Sequence, residues 1–410
     1  MNGDFTVLRQ LASRRKELIG EIDNDSKIKL WTDINDLKPT RPPVQIYQVP
    51  WSEFHDSEDM DLRCSDEFLR SVEFTLRREI YEILNFPGDM VYLNRIECPV
   101  VLVDSGFMLD NEVDIIRSGQ IDSQHFTPVL KDEDDIYRIK EATVEYDACT
   151  TEKRLELLNE IFGDICEVEL TGLKGLWFTP WDYLISRTGV TEAMIDLIER
   201  PDFVNAYVSR YVDVSVKRLH RYAELGVWAS NNNNTIVGSG GYGYNSDLKK
   251  PSVPNIGAAL ENMWGCGNAQ MFSEVSPDMH WEFSLRHEMR WLLNFGLIYY
   301  GCCEQLHHKI DILSKIPGLR KISMSPWANL DIARERIAGR YVMSIKPTPT
   351  ALAMQPFDEN VVRAEINRLL DKTAGNPTEF ILKDISTVKG EPWRLNIWDR
   401  VFRDEIDKRF

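Results

Sequence analysis

Apolar and polar positions in the first forty residues recur at helical spacing, which predicts helices over 5–22 and 26–37 that stop at Lys38-Pro39-Thr40-Arg41-Pro42-Pro43. An apolar run of strand length follows at 44–49, then a helical pattern from about 66 to 84 and a strand-like stretch over 91–103. Between 110 and 146 the periodicity weakens and Asp and Glu accumulate, so this segment is expected to be an insertion serving as a surface lid or interface. From 155 onward the alternation becomes regular, with strands expected at 166–170, 227–229, 269–272, 297–300, 321–324, 341–345 and 379–382. The intervening helices are expected at 156–162, 181–225, 258–263, 277–295, 306–315, 330–338, 359–373 and 392–406. Such alternation predicts an α/β fold, a parallel sheet with helices outside it. Eight units would close it as a (β/α)8 TIM barrel, with a doubly wound open sheet as the alternative. The expected organisation is an N-terminal helical extension over 1–40 and a barrel over 41–410 carrying the acidic insertion.

Charge narrows the partners. The chain has 65 acidic against 48 basic side chains, a formal net charge of −17. The long-range field of such a protein repels nucleic acid and anionic membrane alike. The longest near-apolar stretch, 291–303, contains Asn294 and falls short of the roughly 20 residues that span a bilayer. Arg14, Arg15 and Lys16 have no apolar stretch behind them, so no secretory signal is read and cytoplasmic residence is expected. Seven scattered cysteines, an odd number, fit reduced thiols, and a disulfide between the adjacent Cys302 and Cys303 would be strained.

Gly238-Ser239-Gly240-Gly241-Tyr242-Gly243 spells a dinucleotide-type glycine pattern. The mechanism behind that pattern needs a helix opening directly after the glycines, whereas 245–254 is turn-forming and contains proline, so the reading fails. Asn231, Asn232, Asn233, Asn234, Tyr242 and Tyr244 follow an expected strand end. In a barrel they would sit on the catalytic face and could bind a polar substrate, or form an ordinary loop. Asp278-Met279-His280 starts like the D-x-H-x-x-G signature of cobalamin ligation, but Phe283 occupies the final glycine position, so this chain is not expected to carry the cobalamin. Ser276 as cap and Pro277 as first helical residue place His280 in a first helical turn.

The densest chemistry is Tyr299-Tyr300-Gly301-Cys302-Cys303-Glu304-Gln305-Leu306-His307-His308, where an apolar strand ends in two thiols, a carboxylate and two imidazoles. Cys303, Cys302, Glu304, His307 and His280 are ligand types suited to zinc, in an open rather than a closed site. The plain alternative is buried cysteine beside a solvated helix start. Lys346, and Lys383 with Asp384, also close strands and could anchor substrate or pair with each other. Trp228, Trp264 and Trp327 could wall an apolar pocket or simply pack in the core.

From Trp177 onward the chain resembles the uroporphyrinogen decarboxylase superfamily, particularly its corrinoid-linked methyltransferase branch. The residues that carry the resemblance are Trp177-Phe178-Thr179-Pro180-Trp181, Thr188-Gly189, Glu199-Arg200-Pro201-Asp202, Val275-Ser276-Pro277-Asp278-Met279, the strand ending in Cys303, and Ile385-Ser386-Thr387. It implies a barrel with its site at the carboxyl ends of the strands and zinc held by Cys303. Two departures shape the reading. Arg41 to Gln48 lacks the further arginines of the decarboxylase, and Gly301-Cys302-Cys303 lacks the branch's histidine, with Asp384 standing in the last region.

The expected activity is zinc-assisted transfer of a methyl group from a small O-, N- or S-methyl compound, such as an aryl methyl ether, to the cobalt of a separate corrinoid protein. A metal ion, or a proton from His280 or Glu304, would assist the leaving heteroatom; Asp384 and Lys383 complete the catalytic set. Asn231, Asn233, Tyr242, Tyr244, Trp264, Trp327 and Lys346 would contact substrate. A homodimer is the expectation from the resemblance. The alternatives are a metal-free decarboxylase or lyase relying on Lys346, Lys383 and Arg41, and a non-catalytic binding module.

Overall fold

Leu297–Tyr300, Val342–Ile345 and Thr378–Leu382 are buried at every position, as expected of strands covered on both faces. The computed structural model describes residues 2–54, 58–116 and 123–410. Its main parallel strands are β1 (Val44–Ile46), β2 (Arg95–Pro99), β3 (Glu167–Thr171), β4 (Trp264–Gly267), β5 (Leu297–Tyr300), β6 (Leu319–Met324), β7 (Val342–Ile345) and β8 (Thr378–Leu382). Six of them form one sheet in the order β1-β8-β7-β6-β5-β4, parallel throughout. β2 and β3 pair in parallel separately. A parallel bridge from Phe178, downstream of β3, to Gly267 sets that pair beside the β4 edge. Among the described residues no ladder joins β1 to β2. The architecture is α/β with a parallel central sheet and helices, and among the described residues no ladder joins β3 to β4 either.

The amino-terminal helices are α1 (Asn2–Gly20) and α2 (Asn24–Asn35), followed by α3 (Glu67–Asn85). The starts of α2 and α3 are capped by side chains, Asp23 accepting from Ser26 N–H and Asp66 from Leu69 N–H. α1, α3 and the helix Ala148–Phe162 share a small core around Leu8, Leu76 and Phe162. α2 instead drives Trp31 into the main core, its indole N–H donating to Asp89 O at 2.7 Å. In the acidic region Glu112–Ile116 pairs antiparallel with Ser123–Thr127, and Leu102–Asp104 with Val144–Tyr146. Residues 117–122 of the expected insertion lie outside the described residues.

Several expected elements change: 227–229 makes only an isolated bridge at Trp228, and of the helix expected at 306–315 only Ile310–Leu313 forms. In place of a helix at 258–263 and a strand at 269–272, the chain makes tight turns at Leu260–Asn262 and Gln270–Phe272, and the strand is Trp264–Gly267. A Cβ at Gly265 would lie 2.4 Å from the Phe295 ring, so the strand needs glycine where its neighbour comes closest, and glycine conceals the strand signal. The helix expected at 277–295 also contains a wide π-type turn at Trp281–Leu285. Among the described residues no helix is long and apolar enough to cross a membrane.

Candidate functional site at the carboxyl ends of the strands

Ladder register builds a polar row inside the sheet, with Ser323 opposite Ser344 and Ser344 opposite Glu379. Lys321 reaches Glu379 at 2.8 Å, both side chains fully buried. Ser344 Oγ donates to Glu379 at 2.6 Å, as does the Gly241 N–H at 3.0 Å. Burial pushes the Glu379 carboxyl up, but Lys321, Ser344 and Lys346 outweigh it and hold the group below its ordinary range. Lys346 donates to Tyr299 OH at 2.6 Å and Ser344 Oγ at 2.7 Å, and Tyr299 OH pairs with Ser239 Oγ at 2.8 Å. Lys346 is deeply buried, and its pKa falls to about 7.

This row leads to the carboxyl ends of β5 and β8. Gly301 takes φ +103°, and a Cβ there would lie 2.3 Å from Leu306, so only glycine turns the chain sharply enough to set the next two residues across the strand ends. Cys302 Sγ lies 3.6 Å from Cys303 Sγ and 3.6 Å from Lys383 Nζ. Lys383 Nζ is 3.1 Å from Asp384, and Cys303 Sγ is 3.8 Å from Asp384. Asp384 holds a left-handed conformation, φ +56°, one that aspartate tolerates, and its N–H donates to Gln48 Oε1 at 3.2 Å.

Electrostatics divide the two thiols. The Cys303 S–H lowers the Cys302 pKa, burial opposes this, and the Lys383 ammonium lowers it further; the net shift is well below the ordinary thiol range. Cys303 moves the other way, raised by its bond to Cys302 and by burial. Burial disfavours the Lys383 charge, but Cys302 and Asp384 outweigh it and raise the pKa. The result is a thiolate–ammonium pair with an exposed thiol and carboxylate beside it.

The structure leaves the other expected ligands apart from these thiols. Tyr300 points to the sheet face opposite Tyr299, and there its OH meets His280 Nε2 at 2.9 Å. His280 is buried, stacks on Phe272, and has a pKa lowered well below the ordinary value by burial, with Lys309 and His308 adding to it. Glu304 is buried and accepts from the Cys302 and Ala269 N–H groups at 2.8 and 3.2 Å, which braces the loop. His307 packs against His308, with ring centroids 4.9 Å apart.

The polar loop at 231–244 runs from the amino end of β4, beside Asn231, across the sheet interior, where Ser239 meets Tyr299 and Gly241 meets Glu379. Asn231 acts as a substitute peptide, accepting from Trp264 N–H at 2.8 Å and donating to Trp264 O at 2.9 Å. Asn233 donates to Ser230 O, and Tyr242 packs on Trp31. Tyr244 sits beside Tyr242, and the Trp264 indole donates to Gly243 O at 2.7 Å. Trp228 is fully buried and Trp327 is 73% exposed. Arg41 forms an ion pair with Asp89 at 2.6 Å. Tyr299, Ser344, Lys321, Glu379 and Gln48 were not singled out in the sequence. Their only signal was a polar residue inside an apolar strand, clearest for Lys321 and Glu379.

Cys302, Cys303 and Asp384 are donors that zinc accepts. Here the Lys383 ammonium stands among them, and among the described residues no three His, Cys, Asp or Glu side chains group as metal donors. As arranged they do not fit a zinc ion.

Among solved structures, a methyltransferase from Methanosarcina mazei matches 92% of this chain and 98% of its own at a TM-score of 0.50 with 12% identity. That likeness shows a shared fold. No family model and no curated protein matches the chain.

Proposed function

We propose that the protein is a methyltransferase moving a methyl group from a small O-, N- or S-methyl compound to the cobalt of a separate corrinoid protein, on a barrel whose seam runs between β1 and β2. The observation that carries this reading is the Lys383 ammonium, held charged between Cys302 and Asp384 at the carboxyl edge of the sheet. The fold shared with a methyltransferase supports it.

The corrinoid, presented by its partner, supplies the cobalt nucleophile. When the bond between methyl carbon and heteroatom breaks, the electron pair stays on the heteroatom, which takes a proton from Lys383. Cys302 and Asp384 keep that ammonium charged beforehand, and solvent returns the proton through the exposed side of the site. Cys303 donates its S–H to Cys302 and so keeps the thiolate available as the counter-charge.

The test is a panel of methyl donors with a reduced corrinoid protein, read from the cobalt absorbance. Donor-dependent methylation that falls about 100-fold in Lys383→Gln is expected; no turnover with any donor, or full activity in the variant, would sink the reading. One zinc per chain by elemental analysis, lost in Cys303→Ala, would replace proton assistance by a Lewis acid. Lys346, with its depressed pKa, favours a second reading as a metal-free lyase or decarboxylase, for which carbon dioxide release without corrinoid is the mark. Ligand binding without turnover would indicate a binding module.

A further inference from the structure

The seam between β1 and β2 is hollow. A cavity of about 650 Å³ lies there beneath α3, within the size range of small-molecule sites. Gln45, in the middle of β1, pairs in register with Ile381, two residues along from the inward-facing Glu379, so its side chain faces the interior and lines the cavity. It is 2% exposed, and its Oε1 has no hydrogen-bond partner among the described residues. A buried amide oxygen left without a donor is costly, so its retention here points to a donor that arrives from outside.

The rest of the wall says what kind. Trp51, Val72, Met90 and Ile96 give an apolar surface. The charged groups around it are engaged with one another: Arg15 with Glu79 at 2.5 Å, Arg95 with Glu169 at 2.9 Å, Lys174 with Glu97, and Arg78 facing Glu82 at 3.6 Å. Each of these cations faces a carboxylate, the Arg78 pair being the loosest, and an ionic ligand would compete with one of the pairs. We propose that the seam cavity binds a small, neutral, largely apolar molecule carrying one hydroxyl or N–H donor, which hydrogen-bonds to Gln45 Oε1. Glu82, on the opposite wall, carries a carboxyl that burial pushes up to about 7 although Arg78 opposes the shift, so its charge is complete only above neutral pH.

This inference goes beyond the methyl-transfer reading and survives its failure, because the test reads binding alone. Phenol and anisole, nearly the same shape with and without the donor, are titrated calorimetrically into the full chain, and benzoate tests the charge argument. Phenol is expected to bind one per chain, with anisole at least about tenfold weaker and benzoate without detectable heat. Gln45→Leu is expected to bring phenol down to the anisole level, and Val72→Trp to abolish binding by filling the cavity. Phenol that does not bind, anisole that binds equally well to the wild type, or benzoate that binds more tightly than phenol would overturn the proposal without relying on any variant.

Discussion

Tyr299 and Tyr300 are neighbours in β5, both fully buried, yet they face two environments that treat charge in opposite ways. On the inner face, with Tyr299, charge is kept where it is matched, Lys321 with Glu379 and then Lys383 with Cys302 and Asp384, while the pKa of Lys346, which hydrogen-bonds no carboxylate, falls to about 7. On the outer face, with Tyr300, charge is suppressed. Burial lowers the His280 pKa well below its ordinary value and raises that of Glu288 to about 8, while Ser284 donates to Glu288. Lys321 and Glu379 are buried as deeply as His280 and Glu288, so desolvation alone does not decide the outcome. What differs is the presence of an opposite charge within hydrogen-bond distance.

The largest expected effect tests the matched face. Glu379→Ala leaves the Lys321 ammonium buried without its counter-charge, and is expected to cost about 3–5 kcal/mol in denaturant unfolding. A cost below about 1 kcal/mol would mean that the inner charges are not coupled as described. Next is Lys383→Gln, expected to slow methyl transfer about 100-fold, a transition-state loss of about 3 kcal/mol, while raising the pKa at which Cys302 is alkylated. An unchanged alkylation profile would break the thiolate–ammonium pair.

On the neutral face Tyr300→Phe removes the partner of His280 Nε2 and should cost about 1–2 kcal/mol of stability with no change in Cys302 alkylation. An altered alkylation profile would show that the two faces communicate. The remaining effect is in pH dependence. The Glu288 pKa is raised from 4.5 to about 8 in the folded protein, so between those values the folded state holds a proton that the unfolded chain has released. Its contribution to stability therefore falls as pH rises from about 4.5 to about 8, at a slope of up to about 1.4 kcal/mol per pH unit, and is level above that. Glu288→Gln should flatten this decline, and an unaltered pH profile would place the burden on another group.

Much of the fold was open to reading along the chain. Apolar runs of strand length and helical patterns marked β5 to β8 and the helices between them, because strands covered on both faces need long apolar runs. The clustering of Cys302 and Cys303 at a strand end was equally plain. β4 was concealed because Trp264-Gly265-Cys266-Gly267 owes its strand to the close approach of Phe295, a contact between distant residues. The asparagine loop looked like a substrate surface because amide side chains bind ligands and backbones equally well. Only the path of the chain shows that Asn231 takes the place of a peptide beside Trp264.

The sequence by itself determined which residue types stand at the strand ends, since alternation and strand length follow from local covalent geometry. Tertiary structure alone decided which of them meet. Lys383 reaches Cys302 because β8 and β5 are brought to the same edge through β7 and β6, whereas His280, nearer in sequence, is sent behind the sheet by one residue of alternation. Electrostatic coupling falls off within a few ångströms of contact, and those separations are set by packing between segments far apart in the chain.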